Sequence, residues 1–148
     1  MDNQGNMTIT AANSTFYLVV PGLYNSPVRI EGYSTDAMVS GEAITPVVAE
    51  MGVDGHLSFG WTPTSKAVTV TLAADSPSRQ IMDDWVTYQD AKREVMVCSA
   101  EFSLPGIGRK YIGMRGAITS APPMPGANKT LQATAYTITF EKWTPAVI

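Results

Sequence analysis

The chain has 148 residues, 45% hydrophobic and 16% charged, with 13 Asp and Glu against 10 Lys and Arg and a formal net charge of −3. It is long enough for one domain with its own core, too apolar for a disordered chain, and too acidic for a protein that grips phosphates by charge. One cysteine, Cys98, excludes an internal disulfide and a cysteine-built zinc site, and one histidine, His56, excludes any site needing two.

No apolar run approaches the roughly 20 residues that span a bilayer. The opening Met1-Asp2-Asn3-Gln4-Gly5-Asn6 lacks the basic and apolar regions of a signal peptide. The expectation is a protein that stays in the cytoplasm where it is made, with no membrane partner.

Residues 1–15 are polar and rich in Asn and Thr, and read either as a frayed terminus or as an N-terminal arm that orders on a neighbour. Phe16 to Val20 reads as a strand closed by Pro21-Gly22, and Val28 to Glu31 opens another that runs past Gly32 toward Met38. The stretch from about residue 33 to 61 reads as a protruding hairpin or a surface loop. Ile44 to Met51 forms one arm, interrupted by Pro46. Gly52-Val53-Asp54-Gly55 forms the turn, and His56 to Trp61 the return strand.

Val68, Val70 and Leu72 alternate with Thr69, Thr71 and Ala73, the period of a half-buried strand. The pattern then becomes helical over about residues 77–91. Ser76 reads as its cap and Pro77 as its first residue. Ile81, Trp85 and Tyr88 share its inner face, flanked by Met82 and Val86. Alternation returns in Met96, Cys98, Ala100, Phe102 and Leu104, in the segment from Tyr111 to Ile118, and in Tyr136, Ile138 and Phe140. The order strands, helix, strands predicts a mainly β single domain: an antiparallel β-sandwich or barrel with one flanking helix.

No catalytic constellation emerges. Asp54 and His56 lie two apart on a turn with serines nearby, but a triad needs partners that meet in space. Asp83, Asp84 and Asp90 read as solubilising charges on the helix surface. Gly106, Gly108, Gly113 and Gly116 miss the spacing of a dinucleotide cradle and read as turns and bulges. Pro122 and Pro125 make a bare PxxP that reads as a connector. Cys98 reads as a small buried apolar residue. No cofactor or metal site is expected. Abundant strands bearing Ser and Thr outside, with spare polar segments, point to a self-assembling structural subunit.

Two stretches sharpen this. Ile44-Thr45-Pro46-Val47-Val48-Ala49-Glu50-Met51-Gly52-Val53-Asp54-Gly55 resembles the hairpin region of tailed-phage tail tube proteins, which often ends in Gly-x-Asp-Gly. Val68 to Ser78 resembles that family's strand leading into a Ser-Pro-Ser helix start. Gly32-Tyr33 and the Pro-rich loop at 122–125 fall in matching order, so the resemblance covers roughly residues 28–143. Arg79-Gln80-Ile81 departs from the Asn-containing form common there.

The resemblance implies a virion tail protein forming hexameric rings that stack around a lumen for genome passage. Its implied partners are further copies of itself, tail terminator, baseplate or tip proteins, and a sheath. DNA meets it only in passing through the lumen, whose acidic subunits would repel phosphates. The implied assembly residues are Glu42, Ile44, Val47, Val48, Glu50, Met51 and Asp54, and deleting residues 40–55 is expected to leave a folded monomer. Three alternatives stay open: an inner tube of a tailocin or type VI-like device, a monomeric β-sandwich binding module presenting Tyr33, Trp61 and Trp143, and an enzyme using Asp54 and His56.

Overall fold

The computed structural model describes residues 14–31 and 39–148. Most of the expected arm, and the stretch from Gly32 to Met38, lie outside these residues. The strands are β1 (Thr15–Val20), β2 (Tyr24–Ile30), β3 (Val39–Gly41), β4 (Val47–Met51), β5 (Leu57–Trp61), β6 (Lys66–Leu72), β7 (Cys98–Leu104), β8 (Arg109–Ser120) and β9 (Thr134–Val147). One helix, α1 (Arg79–Lys92), lies between β6 and β7.

Seven strands form one antiparallel sheet in the order β2-β1-β7-β8-β9-β6-β3, and β4 and β5 stand apart as a separate pair. The architecture is therefore mainly β with one flanking helix, as expected. Of the two alternatives, the barrel is not the one adopted: β2 and β3 are open edges among the described residues. Phe16, Leu18 and Phe102 from one half of the sheet join Val70, Ile138 and Phe140 from the other in a single core cluster. The two halves thus fold toward each other across β8 and β9, sandwich fashion.

The period-2 reading holds at the strand centres, while Met96 precedes β7 and both it and Leu104 are only half-buried. Val68, Val70 and Leu72, then Cys98, Ala100 and Phe102, then Tyr136, Ile138 and Phe140 are all buried. On β8 a bulge interrupts the ladder: Gly113 faces Ala100 and Gly116 faces Cys98, one residue more on β8 than on β7. Arg115 in the bulge takes a left-handed backbone, φ 51°. Gly113 and Gly116 are bare because the ring of Phe140 lies against both of them. The ring of Trp143 stacks on Tyr111 beside them, 6.2 Å between centroids.

Pro145 sits within β9 without breaking it. Ile148 donates its N–H to the Gly108 carbonyl at 3.1 Å. Given the register, alternate residues Trp143, Pro145 and Val147 then turn their backbone groups away from β8. The missing N–H of Pro145 falls on that open side, where it blunts further strand pairing.

The helix differs from expectation at its start. It begins at Arg79 with Ser78 as the capping residue, and Ser78 makes no side-chain cap bond. Ser76 Oγ accepts the Ser78 N–H at 3.2 Å, as a cap does, and both serines also hold the backbone of one distant residue. Ser76 Oγ donates to the Glu31 carbonyl, and Ser78 Oγ accepts the Glu31 N–H at 2.7 Å. The buried face centres on Met82 and Trp85, with Ile81 and Tyr88 only half-buried. The far end is tied in the same way as the start. Trp85 Nε1 donates to the Met96 carbonyl at 3.0 Å, and Gln89 Oε1 accepts the Met96 N–H at 2.9 Å. Asp84 is more than a solubilising charge, since it accepts the Tyr24 hydroxyl at 3.1 Å and links α1 to β2.

Two further boundaries move. Ser14 is buried and Thr15 already belongs to β1, so the arm ends before them. Pro46 does not interrupt a strand but precedes one, and its carbonyl accepts the Thr62 N–H at 2.9 Å to close the base of the hairpin.

Candidate assembly site

Every residue from Ser40 to Trp61 is exposed. Within this stretch β4 and β5 pair antiparallel, Val47 opposite Trp61, Ala49 opposite Phe59 and Met51 opposite Leu57. Residues opposite one another share a face. One face of the hairpin is thus wholly apolar: Val47, Ala49, Met51, Leu57, Phe59 and Trp61. The other carries Val48, Glu50, Ser58 and Gly60. Met51 is 63% exposed, Phe59 69% and Trp61 75%.

The tip is built to keep this register. Gly52 donates to the His56 carbonyl at 2.8 Å and Gly55 to the Gly52 carbonyl at 3.0 Å. Gly55 takes φ +87°, a conformation that costs other residues energy. Asp54 Oδ1 accepts the His56 N–H at 3.1 Å, so this carboxylate serves the turn. The base is anchored by Glu42, whose N–H bonds the Ala67 carbonyl of β6 at 3.0 Å.

A two-stranded hairpin is at best marginally stable alone in water. The bare apolar face of this one makes it a candidate interaction surface. Of the residues singled out from the sequence, Val47 and Met51 lie on the apolar face and Val48 and Glu50 on the other. Asp54 lies at the tip, Ile44 in the connecting loop and Glu42 at the base. The structure thus gathers all seven in one projecting element, though not on one surface. Leu57 and Phe59, which share that apolar face, were not singled out from the sequence, and Trp61 was weighed only as a binding aromatic. Their signal was the alternation of large apolar residues on the return strand, at the register that the Gly52–Gly55 turn fixes.

The hairpin is acidic as well as apolar, because no Lys or Arg occurs between Ile30 and Lys66. Among the described residues no three His, Cys, Asp or Glu side chains converge as a metal site would require. Cys98 is buried, and burial pushes its thiol up to about 12, with a backbone hydrogen bond at Gly116 opposing. Trp143, weighed as an exposed binding aromatic, packs on Phe140 at 5.1 Å between ring centroids.

The fold recurs in three solved assemblies. A subunit of the PVC sheath/tube terminator, from an extracellular contractile injection system in its extended state, aligns with TM-score 0.61 and 13% identity, covering 89% of this chain and 93% of that one. A subunit of the six-fold symmetrised anti-feeding prophage baseplate aligns at 0.56 with 7% identity over 95% and 98%. A subunit from the tube-terminating cap of the anti-feeding prophage aligns at 0.55 with 11% identity over 90% and 88%. At these identities the likeness is one of fold alone. No curated protein matches by sequence. The model of the family described as tail fiber protein gp32 matches residues 7–144, and the chain belongs to that family.

Proposed function

We propose that the chain is a structural subunit of a phage tail tube, forming stacked hexameric rings around a lumen through which the genome passes. The observation that carries this reading is the ordered, projecting hairpin with a six-residue apolar face on a fold shared with injection-assembly subunits. An exposed apolar face of this kind marks a site where another molecule docks. In a chain whose family is one of tail proteins, another copy is the cover that also builds a tail. The subunit acts by association and not by catalysis. Its partners are further copies, a terminator, baseplate or tip proteins, and a sheath where the tail contracts.

The same features fit the inner tube of a tailocin or type VI-like device, which carries no genome, and a terminator or baseplate ring. Negative-stain electron microscopy of the purified protein separates these readings from a monomeric binding module. Stacked hollow rings support the tube, isolated rings support a terminator or baseplate part, and a strict monomer at every concentration favours the binding module. Neighbouring capsid genes distinguish a phage from a genome-free device.

A further inference from the structure

We propose that the apolar face of the hairpin seats in a shallow cleft on the outward face of the main sheet of a second copy. This rests on the assembly reading above and names its acceptor. The cleft, about 430 Å³, is lined by Tyr17, Val19, Pro27, Ser99, Glu101 and Ile112. Strand pairing creates it. Phe16, Leu18 and Val20 point into the core, so Tyr17 and Val19 point out. The register sets Ser99 opposite Val19, Glu101 opposite Tyr17 and Ile112 opposite Glu101.

Three features fit this occupant. The cleft presents apolar side chains in a concave surface, and the hairpin presents a projecting ribbon whose apolar face carries no charge. The charges around the two are complementary. Arg29 lies beside the cleft opposite Tyr17, and Lys110 lies 3.9 Å from Glu101. The hairpin brings Asp54 at its tip, with Glu50 on the reverse face, and no cation. Finally, hairpin and cleft are different patches of one chain. Contact between different patches repeats from copy to copy, closing into a ring or running on as a stack, whereas a self-complementary patch stops at a dimer.

The test mixes two single variants, Phe59→Cys and Val19→Cys, under mild oxidation. Native Cys98 is buried and does not compete. The proposal predicts a disulfide-linked dimer in the mixture and not in either variant alone. In parallel, Phe59→Glu on the hairpin and Ile112→Glu in the cleft are each predicted to keep the wild-type melting temperature. Each is also predicted to raise the concentration needed for assembly at least about tenfold, as loss of a buried anchor does. If Phe59→Glu stops assembly while Ile112→Glu does not and no mixed cross-link forms, the cleft is wrong and the hairpin reading stands. If Phe59→Glu assembles like the wild type, the hairpin reading falls and the cleft falls with it.

Discussion

Ser78 Oγ accepts the backbone N–H of Glu31 at 2.7 Å, although the two are 47 residues apart in the chain. With Ser76 on the carbonyl of the same residue, this fixes the start of α1 against the end of β2. Ser78→Ala removes the acceptor and leaves a part-buried N–H unpaired. The expected loss of stability is about 1–2 kcal/mol, read from urea unfolding. Unchanged unfolding would show that Glu31 finds another acceptor.

Gly113 is held bare by its neighbours. A Cβ there would sit 2.8 Å from the rings of both Phe140 and Trp143. Gly113→Ala is expected to cost about 1–3 kcal/mol through overpacking. Adding Phe140→Leu to the same chain should recover part of that loss, because the two sites share one contact. Additive losses in thermal melts would contradict the packing account.

Arg93 closes α1 in a left-handed conformation, φ 54°, with its N–H on the Gln89 carbonyl. Glycine adopts that conformation without steric penalty. Arg93→Gly is therefore expected to stabilise the protein by about 1 kcal/mol, raising its melting temperature by about 2–4 °C. A lower melting temperature would mean that the Arg93 side chain does more than tolerate the cap.

Alkali should unfold the protein through Cys98. Its thiol stands at about 12 in the folded chain against an ordinary value of 9.0, because burial penalises the thiolate. Burial likewise raises Tyr24 and Tyr136. A raised acid holds its proton more tightly in the folded state. Its contribution is thus complete below about pH 9 and lost as the pH climbs toward 12. Melting temperatures taken across that range should fall, and Cys98→Ala should lessen the slope without abolishing it. A flat profile in the wild type would contradict the burial of these groups.

These residues also show what a sequence reveals. Val68, Val70 and Leu72 announce their strand because one face meets the core and the other meets solvent, and this is a local fact. The helix was legible for the same reason. Its start falls at Arg79, two residues later than the pattern suggests, although Ser76 Oγ does accept the Ser78 N–H; that both serines also bind Glu31 is something no local pattern reveals. The buried face shifted to Met82 and Trp85 because the sheet beneath sets the rotation of the helix. On the hairpin, Val47 and Met51 were found through their motif. Phe59 and Trp61 needed the pairing register, which puts them beside those two. The cleft was illegible: Tyr17, Pro27 and Ile112 meet only because β2, β1, β7 and β8 lie side by side. The deletion inferred from sequence, residues 40–55, cuts into β3, where Ser40 and Gly41 pair with Thr69 and Val68, and spares β5. The boundaries that remove the hairpin alone are Val47 and Trp61.

The most direct measurement is electron microscopy, beside the wild type, of a variant in which residues 47–61 are replaced by a short Gly-Ser turn. The account predicts hollow rings or tubes for the wild type. For the variant it predicts a monomer with an unchanged circular-dichroism melt, because the main-sheet core draws nothing from β4 or β5. Rings of normal size and number from the variant would contradict it.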